Sequence, residues 1–148
     1  MRNILALKLK FSGKERISVL MEENGYISVA VKTAGGALPV ENAVVRVKDS
    51  GGALIGVFFT DRDGKTPRLK VLAPPKANSE SPGAASPPFY NYNVDTDKAG
   101  FISVRNVDVP VYPGVTSIQS VELIPLSEGS SGYVGDSVTY SESLPPNL

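Results

Sequence analysis

Residues Gly25–Thr33 read GYISVAVKT. Ile27, Val29 and Val31 fall at alternate positions, and Tyr26, Ser28, Ala30 and Lys32 fall between them. A period of two puts the first set on one face of an extended strand and the second on the other, which predicts a half-buried β-strand. Ala43–Lys48, AVVRVK, repeats the pattern: Ala43, Val45 and Val47 face in, Arg46 and Lys48 face out. Asp49–Gly52, DSGG, between this run and the next is a hairpin-type turn. Ala53–Thr60, ALIGVFFT, is apolar on both faces and is expected to be a strand covered on both sides.

The rest of the chain continues in the same style. Arg68–Leu72 alternates again, with Leu69 and the Val71/Leu72 pair as its apolar residues. Phe89–Asp95 is a strand with Tyr90, Tyr92 and Val94 on one side, Phe101–Val107 is another, and Val115–Ile124 is the last. Asp108–Gly114 is extended and interrupted by Pro110 and Pro113. Ala34–Asn42 and the Pro/Ser-rich Ala73–Pro88 are loops. No apolar run keeps a helical period, and 14 glycines and 12 prolines are spread along the chain. About seven strands over roughly 100 residues predict an all-β fold: one antiparallel Greek-key β-sandwich.

The domain is expected over residues 25–126. Residues 1–24 are expected to be a leader or a disordered arm, with Met21 as the natural start, because MEENGYISVAV has the character of a beginning and the residues before it have no evident role. The Ser/Gly-rich stretch 127–148 is expected to be a disordered tail.

Composition narrows the chemistry. The 148 residues carry 15 basic and 15 acidic side chains, so no charge excess points to nucleic acid. Without cysteine or histidine there are no disulfides, no Cys/His zinc site and no Ser-His-Asp triad. No cofactor and no enzymatic activity are expected. The apolar stretch at the N-terminus is broken by Lys8 and Lys10 and is followed by no small-residue cleavage site. No Sec signal and no membrane insertion are therefore expected, and the expected location is cytoplasmic or spore- or envelope-associated.

Three constellations merit weighing as sites. Asp61 and Asp63 in TDRDGKT, with Asp95 and Asp97 beside the turn TDKAG, are weak candidates for a divalent cation should the two turns converge. Counted from Asp61, however, the fifth calcium-loop position is Lys65 and the twelfth is Leu72, which favours a plain turn with Gly64 at positive φ. Tyr26, Phe89, Tyr90, Tyr92, Phe101 and Tyr112 are aromatics that either stack on a ligand or fill the core. Tyr90 and Tyr92, flanked by Asn91 and Asn93, are the best candidates for ligand binding. Lys32 near the end of the first strand is a remote candidate for an isopeptide cross-link, but alternation puts it outside, and the last strand offers Gln119 and Glu122 rather than asparagine.

The order of these features resembles a known family. GYISVAVKT, ALPV, ENAVVRV, the TDRDG turn, LKVLAPP, FYNYNV and VDVPVYPGVTSIQSVELIPL follow one another from Gly25 to Leu126. In this the chain is similar to carboxypeptidase regulatory-like domains, which have the transthyretin-like (prealbumin-like) sandwich, and most of all to the version in bacterial spore cortex-lytic proteins. The resemblance implies a non-catalytic structural or interaction module of the envelope or spore. Such a module would touch a protein partner through loops or an edge strand. The alternative is a carbohydrate- or peptidoglycan-binding module using the tyrosines.

Overall fold

The computed structural model describes residues 22–80, 86–127 and 137–142. Nine strands follow one another: β1 (Glu23–Thr33), β2 (Leu38–Pro39), β3 (Val44–Asp49), β4 (Leu54–Phe59), β5 (Leu69–Ala73), β6 (Tyr90–Asp97), β7 (Ser103–Val111), β8 (Thr116–Leu123) and β9 (Ser137–Ser141). One four-residue helical turn, α1 (Ala77–Glu80), follows β5. In the first sheet β1 pairs with β2 and β5 and, in parallel, with β8; the second sheet has the order β4-β3-β6-β7-β9. The chain is an all-β sandwich, as its alternation predicted.

The core lies between the two sheets because that is where the alternate apolar positions point. Ile27, Val29 and Val31 of β1, Val71 of β5 and Val121 and Leu123 of β8 are buried on one side. Val45, Val47, Val94, Val104, Val109 and Val111 are buried on the other. Most of these are valines, whose branched side chains suit a pleated surface; fully burying each contributes about 1.5–3 kcal/mol.

All seven expected strands form, with shifted ends, and several expectations are corrected. The pairing is not purely antiparallel: β1 runs parallel to β8, and β7 runs parallel to β9. β1 begins at Glu23, so the last residues assigned to the leader belong to the sheet; residues 1–21, with the supposed start at Met21, lie outside the described residues. Likewise β9 lies within the stretch expected to be tail, and it pairs with Ser103–Val107 of β7. β7 runs on through Pro110 to Val111. Pro110 is tolerated there because β9 covers β7 only as far as Val107, leaving the outer side of Pro110 without a strand among the described residues. The loop after β5 is not wholly superficial either, since Pro74 and Pro75 are buried.

The largest correction concerns β4. It pairs only with β3 among the described residues and forms the edge of its sheet. Leu54, Ile55, Val57 and Phe59 are all exposed, Phe59 by 62%. Its double apolar character therefore does not reflect cover on both faces.

Candidate functional site

The turn TDRDGKT is built as an anchor. The Asp61 carboxylate accepts hydrogen bonds from the backbone N–H groups of Asp63 and Lys65, both at 2.9 Å. Gly64 has φ +74° and offers its carbonyl to Val31 N–H at 2.7 Å. Thr66 Oγ1 accepts from Val29 N–H at 2.9 Å. The segment thus extends the β1 ladder, and the Asp61 carboxylate is held by its own turn.

Asp95 and Asp97 lie in the other sheet, on the outer face of β6. Asp95 takes Lys48 at 2.8 Å and Arg105 at 3.1 Å; Asp97 takes Arg46 and the Ser103 hydroxyl. This ladder lines a shallow cavity of about 350 Å³. The four aspartates weighed as a weak cation site do not converge: Asp61 and Asp63 lie in the turn that extends the β1 ladder, and Asp95 and Asp97 lie on β6 of the other sheet. No group of three or more acidic, histidine or cysteine side chains is placed to hold a metal among the described residues. Lys32 is exposed, as alternation requires, and faces Glu122 across the β1–β8 ladder.

The tyrosine pair divides. Tyr90 and Tyr92 share the inward face of β6, so the flat exposed pair expected for stacking does not exist. Tyr92 is only 5% exposed and donates its hydroxyl to the Leu72 carbonyl at 2.5 Å. Tyr90 is half-buried at the rim and donates to the Glu22 carboxylate at 3.3 Å. Asn93 accepts from Asp108 N–H at 3.2 Å, while Asn91 lines a groove of about 610 Å³ with Leu72, Phe89 and Tyr90. The signal that Tyr92 points inward was present in the sequence: it shares parity with Val94, which belongs to the core.

Burial raises the pKa of Tyr92 above 10.0, and the nearby charge of Glu22 pushes the same way. A phenol whose folded pKa is raised stabilises the fold fully below the unfolded value near 10, and that stability is lost as pH climbs toward the folded value. Tyr92→Phe is expected to cost about 1 kcal/mol at pH 7 and to flatten the fall in stability above about pH 10. Denaturant titrations at pH 7 and across pH 9–11 check both; an unchanged alkaline slope would contradict the assignment.

One surface stands apart. The β4 edge presents a row of backbone groups without a strand partner among the described residues, flanked by exposed Val57 and Phe59 on the outer face and by exposed Ile55. Edge strands are ordinarily protected by lysine, proline, a bulge or a cover, because an open edge is a template for another strand. LIGVFF has neither charge nor proline, and its one irregularity is a bulge at Ile55, skipped between the Val47–Gly56 and Lys48–Leu54 pairs, which leaves Gly56–Phe59 in regular register with β3.

No protein-family model matches the chain, and no curated protein matches it. Solved structures do. The sandwich is similar to that of a minor pilin. The structure is GBS52 of the Gram-positive pathogen Streptococcus agalactiae, 11% identical, with a TM-score of 0.51 over 72% of this chain and 47% of the pilin chain. The chain therefore spans about half of the pilin's length, and the likeness shows the fold alone. Mercury-inhibited catechol 1,2-dioxygenase from Acinetobacter sp. ADP1 is 12% identical, covering 81% of this chain and 58% of the enzyme, with a TM-score of 0.48. 3-Chlorocatechol 1,2-dioxygenase from Rhodococcus opacus 1CP is 13% identical, covering 72% and 61%, with a TM-score of 0.47. The expectation that the chain has no enzymatic activity is withdrawn. The absence of histidine and cysteine excludes particular mechanisms, not catalysis as such. Among the described residues no helix is long and apolar enough to cross a membrane.

Proposed function

We propose that this chain is a structural module of the bacterial cell surface that docks an extended segment of a protein partner along β4. The observation that carries the reading is the apolar, uncharged edge strand. A partner strand would satisfy its free backbone groups and cover Ile55, Val57 and Phe59. The sandwich shared with a minor pilin supports a surface setting, and the resemblance to carboxypeptidase regulatory-like domains supports an accessory role beside other envelope proteins. Affinity would come from main-chain hydrogen bonds, and selectivity from alternate apolar side chains.

The test is retention on isolated walls of a Gram-positive bacterium. The module is expected to bind walls that keep their proteins and to be released when those proteins are digested. Val57→Lys, which places a charge in the middle of the edge, is expected to cut retention at least tenfold without unfolding an exposed position. Equal retention of Val57→Lys would overturn the reading. Undiminished binding to protein-stripped peptidoglycan would replace the protein partner with the polymer.

A further inference from the structure

The turn between β3 and β4 forms part of the groove of about 610 Å³ described above, with Asp49 and Ser50 in its lining. Asp49 fixes this turn at both its groups: its N–H donates to the Ala53 carbonyl and its carboxylate accepts from Ala53 N–H, each at 2.9 Å. Leu72, Phe89, Tyr90 and Tyr92 supply the apolar lining. These side chains are held in place. The Tyr92 hydroxyl reaches across the sandwich to the Leu72 carbonyl, and the Phe89 ring rests against Tyr112, with centroids 5.5 Å apart and planes tilted by 57°. A pre-formed apolar groove with a few placed polar groups is the usual form of a binding site.

Two carboxylates stand at this groove. Asp49 lines it, and Glu22 accepts the hydroxyl of Tyr90. Neither belongs to an ion pair among the described residues. Lys48, the neighbour of Asp49 in β3, is instead held by Asp95 on the outer face of the sheet. Both carboxylates act on the groove lining: burial raises the pKa of Tyr92 most, and the charges of Glu22 and Asp49 add to it. We propose that the groove is a binding site for a lysine or arginine side chain carried by the partner segment that docks along β4. The choice of segment rests on that docking; the choice of a cation on an apolar stem rests on the groove.

Such a side chain satisfies both halves of the site. Its stem lies on Leu72, which is 54% exposed, and on the Phe89 ring. Its cation meets the face of Tyr90 and the two carboxylates. Other ligand classes meet only one half. An acidic group is repelled by Asp49 and Glu22. A neutral apolar side chain leaves both carboxylates without a counter-charge. A sugar ring lacks the flat pair of tyrosines that stacking needs, because Tyr92 is buried.

The groove also lies where a docked segment leaves the sheet. Asp49 ends β3, and β4 begins just beyond the turn at Leu54. A strand paired to the free side of β4 sits two strand spacings from β3, about 10 Å. About three extended residues cover that distance. The partner segment is therefore an apolar run with a lysine or arginine about three residues past the end that meets Leu54.

Titration of the full chain with N-acetyl-lysine methylamide, followed through amide chemical shifts, tests the site. Shifts are expected at Asp49, Ser50, Leu72, Tyr90 and Asn91. N-acetyl-norleucine methylamide has the same stem without the ammonium and is expected to bind about fivefold more weakly. Asp49→Asn with Glu22→Gln keeps an acceptor for Ala53 N–H and for the Tyr90 hydroxyl. This double variant is expected to bind the two probes equally and to lose about fivefold in retention on protein-bearing walls. Leu72→Ser, at an exposed position, is expected to weaken both probes alike. Equal binding of the two probes by the unaltered chain would overturn the proposal. So would full wall retention of the double variant. Shifts of the same amides by a disaccharide of N-acetylglucosamine, at lower concentration than the lysine probe needs, would give the groove to a sugar instead. The two readings fail separately. Full retention in Val57→Lys with the lysine preference intact removes the β4 docking and leaves the cation site. Lost retention in Val57→Lys with no lysine preference does the reverse.

Discussion

Gly64→Ala is expected to remove a large part of the protein's stability. The φ of +74° at this position costs an alanine about 1–2 kcal/mol by itself. The added Cβ would also sit 2.3 Å from the Val31 carbonyl oxygen, a backbone atom held in the centre of a sheet. It would lie 3.1 Å from Val40 N as well, so the turn cannot yield toward β2 without breaking the Val31 N–H to Gly64 carbonyl bond. Together these set the cost at about 3–5 kcal/mol, against a total of about 5–15 for a domain of ordinary stability. The midpoint of urea unfolding should fall by about 2 M. Gly36→Ala is the control: its φ is +84°, but no atom lies within 4 Å of the added methyl, so it should cost only the conformational part. Equal losses in the two variants would contradict the role given to Gly64.

Thr60→Val is expected to cost about 2–4 kcal/mol although it preserves volume and leaves no cavity. Thr60 is 2% exposed, and its hydroxyl does two jobs at once. It accepts from Ala43 N–H at 2.9 Å and donates to the Val40 carbonyl at 2.5 Å, fastening the β2–β3 connection to the end of β4. Valine would leave a buried donor and a buried acceptor unmet, and that desolvation penalty dominates the loss. Thr60→Ser keeps the hydroxyl and should recover most of the difference. Thermal unfolding of the three proteins checks the order; a valine variant as stable as the serine variant would show that water meets both groups.

The fold was legible where one face of a strand is buried and the other wet. Val29 with Lys32, and Val45 with Arg46, announce their faces through period two alone. Legibility failed where a physical event breaks that period. In β7 the inward residues are Val104 and Asn106, then Val109 and Val111, so parity slips by one between them. Asp108, at φ +60°, takes up the extra residue, and the β6–β7 register shifts there. A strand with a bulge reads as two segments because its pattern changes face. β4 misled for another reason. An apolar run says that a strand avoids charge, but it does not say which neighbours the strand has; that depends on the order of strands in the sheet. β9 gave no periodic signal because its five residues are mostly exposed. At the site, the turn chemistry of Asp61 and Gly64 was readable from residue types. The inward direction of Tyr92 was readable only through Val94.

The parallel pairing of β1 with β8 has a mechanical meaning. Eight registered pairs, from Tyr26 with Thr116 to Thr33 with Leu123, join two strands that run the same way. Tension applied at Glu23 and at Leu123 therefore pulls the two strands lengthwise past each other. Every hydrogen bond of the ladder is loaded in shear together, where a hairpin pulled at its open end would unzip one bond at a time. Force entering at the start of β1 and leaving at the end of β8 meets the sandwich along its most resistant direction.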